Sequence, residues 1–557
     1  VKKNQLFLLL IWFAIALILR LTNLSSKPIW SDEFATLVFS LGQSFRSIPF
    51  NQVIDIETLL APLKLNNNLG LELVSQNLFT ESNHPPVYFM LTHIWVKLFS
   101  QNGELISIWG ARSLSALFGA LAVPAMFLLG WVTFRSYLVG QIAAALMAVS
   151  PFSIYLSQEA RHYTLPTLLV ILSLIFFIIA LRQIQNNQSI SLGVILGWIA
   201  VNSLGIAVHF FFILTLAAEG LVILGIGLYY VFSNSSQFYL KFLPNKSWMG
   251  IYLSIIGTAI GGLVWVPLLL EMSNSKHQLV DWTFHGNPQE QFLEPISQIV
   301  VWITTFLVIF PLENQGLLIT VISGIGMMLI LGFTLKIIID TWKKQPQFWQ
   351  TSANIFLGFI ASAILIILII TYTLGINLTL VARYQFIYFP AILCLIAVFF
   401  AIAWEKNNQK NWILLIGIAS LISGIMVVNH LAYQKPDRAD IVAEVIAETL
   451  TPHQPTLIAT VYKSHEQTGE MMSLAWEFKR LGIPQNLPQF LLATKAENYQ
   501  QPMRTLNQVL AQFSRPLNLW MINFSAPFEP EKNNCTLDPN LKLRTSGYYF
   551  RMYHCFT

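Results

Sequence analysis

The chain has 557 residues, 55% of them hydrophobic and only 11% charged, with a mean hydropathy of +0.59; a soluble domain carries roughly 25% charged residues, so a soluble enzyme is excluded. Residues 430–557 hold 23 of the 59 charged residues, which sets the tail apart as a soluble domain. The net charge of +5 sits largely at the ends of apolar runs, where orientation in a bilayer accounts for it, and no nucleic-acid partner is indicated.

Lys2 and Lys3 precede the apolar run Leu6 to Leu19, and no small-residue cleavage site follows. This reads as a retained signal anchor with a cytoplasmic N-terminus. Arg20, at its far end, is one cost of this reading, although an interfacial arginine can snorkel. An outer loop at 23–86 comes next, and an ordered loop of that length is usually functional. Further spans are predicted at 112–131, 137–156, 163–181, 190–208, 211–231, 249–269, 317–339, 353–374, 385–404 and 412–429, eleven in all with the first. This count places Arg135, Arg182, Lys241, Lys246, Lys343, Lys344, Lys406 and Lys410 in the cytoplasm, as the positive-inside rule asks, and sends the tail outside. The apolar stretches 87–100 and 291–312 read as interfacial or re-entrant helices. Thirteen spans would turn Arg135, Arg182, Lys241 and Lys246 outward, so charge placement favours eleven.

The expected architecture is therefore a polytopic α-helical membrane domain over 1–430 and a small extracytoplasmic α/β domain over 431–557. In the tail a helix is predicted at Asp437–Leu450, strands at Thr456–Tyr462, Leu517–Phe524 and Tyr548–Tyr553, and an amphipathic stretch at Glu470–Leu481. Cys394 lies in an apolar run, whereas Cys535 and Cys555 are free to pair if the tail is outside.

Chemistry concentrates at the outer boundary. Trp30-Ser31-Asp32-Glu33 puts two carboxylates just past the first span, about 100° apart on a helix, so one can act as a general base while the other positions it or binds a metal. The alternative is a helix cap, since Ser31 and two acids suit a first turn. Glu81 to Pro86 precedes the 87–100 stretch; its double proline fixes Glu81 and His84 as substrate or metal ligands, or simply starts a helix. Between two spans, Glu159, Arg161 and Tyr163 lie outside, and Arg161 is kept there against the orientation bias. That favours a phosphate or carboxylate binder over a surface pair with Glu159. Arg383 and Tyr384 break the same bias. His209 beside Phe210 to Phe212 is a packing histidine or a substrate contact, and Asp281, Trp282 and His285 suit a sugar platform. No Gly-rich phosphate loop and no His-Glu-x-x-His occurs, so no nucleotide site is indicated.

Trp30 to Glu33, Asn83 to Tyr88, Arg112 to Gly130 leading into Ser150 to Tyr163, and Arg383 to Pro390, taken in that order, resemble the integral-membrane glycosyltransferases of the GT-C class. The resemblance is closest to glycosyltransferase family 39, related to protein O-mannosyltransferases and bacterial aminoarabinose transferases. It implies a polyprenyl-phosphate sugar donor and an outer-face site in a cell inner or plasma membrane. Asp32 is then the catalytic base beside Glu33, Arg161, Arg383 and Tyr163 bind the donor phosphate, and Glu81, His84, Glu159, His209 and Tyr384 contact substrate. The acceptor is a glycan, a lipid or a protein, and the displacement inverts the anomeric carbon. Metal use differs within the class, so Glu33, Glu81 and His84 are candidate ligands for a divalent metal or polar contacts. A lipid-linked-sugar transporter or flippase is the alternative; it calls for polar groups near the midplane of the spans.

Overall fold

The computed structural model describes residues 3–233, 246–267, 292–344, 346–406, 409–495, 500–539 and 543–556; Lys241, Asp281, Trp282 and His285 lie outside the described residues. In chain order the helices are α1 (Lys3–Leu21), α2 (Ser31–Ser40), α3 (Ile56–Leu60), α4 (Leu71–Glu81), α5 (Val87–Val96), α6 (Ile108–Phe134), α7 (Tyr137–Val149), α8 (Pro151–Ser157), α9 (Thr164–Gln185), α10 (Leu192–Val208), α11 (Phe212–Ser233), α12 (Lys246–Leu263), α13 (Glu294–Thr305), α14 (Leu317–Trp342), α15 (Gln347–Leu374), α16 (Phe389–Glu405), α17 (Lys410–Val428), α18 (Ala439–Ala447), α19 (His465–Arg480) and α20 (Gln500–Leu510). They fall into two bodies, one of Val1–Leu24, Asn83–Tyr88 and Arg112–Gln434, the other of Ser25–Ser82, Phe89–Ala111 and Lys435–Thr557.

The first body is helical and belongs to a multi-pass membrane protein. Among the described residues α1, α6, α9, α14, α15 and α17 are long and apolar enough to cross a bilayer, and α7 with α8 forms a bent pair of matching apolarity, a broken span or a re-entrant loop. The other four expected spans fall on α10, α11, α12 and α16, whose described apolar stretches, Leu192–Val208, Phe212–Leu228, Trp248–Leu263 and Phe389–Glu405, are shorter than 18 residues. The leftover stretches form α5, with 10 residues, and α13, with 12, short of the about 20 that a straight span needs.

Two expectations are corrected here. The span at 137–156 is not one helix: it breaks between α7 and α8 with a 55° bend. Pro151 at the start of α8 has no N–H to continue the α7 ladder, and Ser150 caps α8 by accepting the Ser153 N–H. Arg20 does not snorkel. It is fully buried, and its guanidinium donates to the Met147 and Ala148 carbonyls at 2.9 and 3.0 Å, and to Ser153 Oγ at 2.8 Å. Those carbonyls are the unsatisfied end of α7, where a positive charge is favoured. In return Gln158, just past α8, donates to the Leu19 and Thr22 carbonyls at the end of α1.

Within the spans one polar group is buried that the sequence reading did not single out. Glu219 on α11 lies 2.8 Å from Ser173 Oγ on α9, which also bonds Asn202 of α10 at 2.8 Å and accepts the Trp198 indole N–H at 3.1 Å. The group joins three helices. Gly257 and Gly261, one turn apart on α12, let that helix approach α10 so closely that added Cβ atoms would stand 2.5 Å from Ile199 and 2.2 Å from Ser203.

The second body is built on a mixed sheet. Its strands are β1 (Val53–Ile54), β2 (Thr456–Tyr462), β3 (Pro488–Thr494), β4 (Leu517–Ile522), β5 (Cys535–Leu537), β6 (Leu543–Thr545) and β7 (Tyr548–Cys555), in the order β1-β3-β2-β4-β7-β5, with β6 also on β7. β2 pairs in parallel with β3 and β4, and both of its faces are covered, which is why it reads as a continuous apolar run. Leu506 and Leu510 of α20 pack with Leu457, Leu491 and Leu519 in one core, while Phe478 of α19 meets Phe490, whose side chain points to the opposite face. The first outer loop is part of this body: its β1 adds antiparallel to β3, and Asn51 bonds Thr494. Cys535 and Cys555 stand opposite each other on β5 and β7 and are joined by a disulfide.

Candidate active site

In the first body the site residues are placed by the break after α7. The short α8 carries the loop 158–163, anchored by Gln158 on α1 and by Ser115 of α6, which donates to the Arg161 carbonyl at 2.8 Å. Because that hydroxyl's proton is used, the Tyr88 phenol donates to Ser115 Oγ at 2.7 Å. Arg383 comes from a 3-10 turn, Ala382–Ile387, fixed by Gln385, whose amide donates to Leu378 and Val381 and accepts from the Tyr388 hydroxyl.

These anchors gather two guanidinium groups around one phenol ring. The Cζ atoms of Arg161 and Arg383 lie 5.7 and 6.0 Å from the centre of the Tyr163 ring, and Arg383 is also 5.8 Å from the Tyr384 ring. Arg161 Nη2 donates to His84 Nε2 at 3.5 Å. His209 packs its ring 5.5 Å from Tyr163 and 4.6 Å from His162, and its Nδ1 accepts the Phe211 N–H. Burial pushes His209 down to about 3, helped by the charges of Arg161 and Arg383. Burial likewise holds His162 well below the ordinary histidine range, followed by His209, Arg161, His84 and Arg383. Both rings are neutral at pH 7, so the positive charge resides in the arginines. Glu159 and Arg161 are 1% and 3% exposed, so neither is a solvated surface charge. With two guanidiniums against the one carboxylate of that loop, the cluster is suited to an anion.

His162 belongs to this cluster and was not among the chosen residues. Its ring touches those of His84, Tyr88, Tyr163 and His209. The signal was its place between Arg161 and Tyr163.

The acid pair lies in the second body, at the start of α2. The residue capping α2 is Trp30 and makes no side-chain cap, so Ser31 does not serve as the cap. Asp32 is half-buried, and its carbonyl accepts from Thr36 Oγ1. Glu33 is fully buried against Lys435, with Oε2 3.2 Å from Nζ. Glu81, also in this body, accepts from Ser44 Oγ at 2.5 Å and lies 3.8 Å from Arg46, so it closes the 44–47 turn onto α4.

Those partners bear on the metal reading. Glu33 already faces an ammonium, and Glu81 a hydroxyl and a guanidinium; among the described residues no group of three or more His, Cys, Asp or Glu is arranged to hold an ion.

No family model matches the sequence, and no curated protein matches it. The structure is similar to that of ArnT from Cupriavidus metallidurans bound to undecaprenyl phosphate, with a TM-score of 0.50 at 11% identity over 98% of this chain and 97% of that one. The chain has the GT-C fold. The archaeal oligosaccharyltransferase AglB from Archaeoglobus fulgidus, in complex with an inhibitory peptide and a dolichol-phosphate, matches with a TM-score of 0.44 at 13% identity over 93% of this chain and 69% of that one. The S. cerevisiae Pmt1-Pmt2 protein O-mannosyltransferase complex, bound to its sugar donor, matches with a TM-score of 0.34 at 15% identity over 48% and 34%. In this GT-C chain the two expected halves of the site therefore belong to different bodies, the arginine cluster to one and the acid pair to the other.

Proposed function

We propose that this GT-C chain is a glycosyltransferase that moves a sugar from a polyprenyl-phosphate donor to an acceptor hydroxyl on the outer face of the membrane. The observation that carries the reading is the pair of guanidiniums around Tyr163, in a buried setting whose histidines are held neutral. Such a group is suited to a phosphate that gains charge as it leaves. Asp32 takes the acceptor's proton, the acceptor oxygen attacks the anomeric carbon, and the bond from that carbon to the phosphate oxygen breaks with its electron pair leaving on polyprenyl phosphate. A single direct displacement inverts the anomeric centre. Eleven spans with an outside tail fit this sidedness, and the Cys535–Cys555 disulfide supports an oxidising compartment for the tail.

Purified chain in detergent, offered a panel of undecaprenyl-phosphate-linked sugars, is expected to release undecaprenyl phosphate from one of them. D32N is expected to abolish release while undecaprenyl phosphate still binds. Near-normal turnover by D32N would take the base role from Asp32. The second reading, a transporter of lipid-linked sugars, is favoured by the Glu219, Ser173, Asn202 and Trp198 group within the spans. Bond cleavage in detergent, where no second compartment exists, separates the two.

A further inference from the structure

Three features fix the first turn of α2. A helix start leaves its first N–H groups without partners inside the helix. Here the Ser31 N–H donates to Asp437 Oδ2 at 2.9 Å. Two residues on, the Glu33 carboxylate is paired with Lys435, the two side chains 0% and 2% exposed. Asp437 reaches its place because residue 547 is glycine: its φ is +79°, and a Cβ there would stand 2.6 Å from Asp437 Oδ1. Gly469 brings α19 against the same turn, where a Cβ would lie 3.0 Å from Ser31 Cα.

We propose that the tail segment Lys435-Pro436-Asp437 is a positioning clamp for Asp32, with Asp437 fixing the helix turn that carries it and Lys435 balancing the charge of Glu33 beside it. The inference rests on Asp32 as the base, and Lys435 and Asp437 act through it without touching substrate. Breaking a buried pair leaves a charge uncompensated, so Lys435 matters more to the neighbouring acid than a surface lysine would. Arg438 is held by both oxygens of Asp440 at 2.8 Å, and Glu470 of α19, bonded to Asn523, is pushed well up by burial and then by Asp437. Glu466 and Lys463 act on Glu470, and the Tyr548 hydroxyl donates to its carbonyl.

The test places a thiol at the position of the base and reads its ionisation from the pH dependence of iodoacetamide labelling in the full chain. Cys394 is buried and the other two cysteines are bonded to each other, so labelling of D32C is readable. Adding K435M to D32C is expected to raise the labelling midpoint by about one pH unit, because the ammonium that faces Glu33 is removed from beside the thiol. Adding D437N, which keeps an oxygen for the Ser31 N–H but removes a negative charge, is expected to lower it. K435R, which keeps the charge, is expected to leave it in place, and it reports on the pair even if K435M melts. Unmoved midpoints in D437N together with K435M, or a shift with K435R as large as with K435M, would overturn the clamp. This outcome is independent of D32N, whose retained turnover would sink the base assignment and leave the labelling shifts standing.

Discussion

Tyr163 has two guanidiniums within about 6 Å of its ring, and buried cations in a membrane protein commonly mark a functional site. R161A and R383A are each expected to weaken undecaprenyl phosphate binding tenfold to a hundredfold, the loss of a charge-assisted contact of about 1.5–3 kcal/mol. Lysine at either position is expected to restore only part, lacking the planar fork. Unchanged affinity with a lowered melting temperature would make the arginines structural. His209 gives a second prediction at this scale. Its folded value is about 3 and its free value about 6.5, so between them the unfolded chain binds more protons and stability rises with pH. The contribution is complete above about pH 6.5 and is lost as pH falls toward 3; between pH 6.5 and 5 this amounts to about 2 kcal/mol. The wild-type melting temperature is expected to fall from pH 7 to 5, and H209F to fall less; superimposable curves would remove His209 from the account. The arginines were legible because the eleven-span reading sets them against an orientation rule. His162, buried and uncharged, breaks none and went unnoticed.

Arg20 shows how one side chain decides the form of an element. It closes the end of α7 at the bend into α8, and the loop that follows α8 carries Arg161 to Tyr163. R20L is expected to leave the Met147 and Ala148 carbonyls buried and unpaired, at a cost of about 1–3 kcal/mol for each. Thermal unfolding in detergent measures the loss, and undecaprenyl phosphate affinity should fall with it because the loop loses its support. A variant as stable as the parent would mean the carbonyls find water. The sequence displayed the break in Ser150-Pro151, yet an apolar run of span length hid it. The partners of Arg20 lie 127 and 128 residues away, where no local periodicity can point to them. Strand β3 was missed for a related reason: Pro488 opens it and its hydrophobicity does not alternate, as befits a strand covered on both faces.

Across the whole molecule the apolar runs and the charge-rich tail were legible, since both are set by composition, while the union of the first outer loop with the tail was not. The proposed sidedness predicts that a membrane-impermeant thiol reagent applied to intact cells labels K532C, in an exposed part of the tail, and misses N187C in the exposed turn after α9. Labelling of N187C would reverse the orientation. The union has a bearing on synthesis. Glu33 meets Lys435 402 residues later in the chain, and at about 5–20 residues per second a ribosome needs about 20–80 s to cover that distance. Throughout that interval the emerging loop holds a carboxylate without its lysine and a short strand without an edge to join. A chain cut off anywhere before residue 435 therefore keeps the Glu33 carboxylate without Lys435 and β1 without the β3 edge it joins.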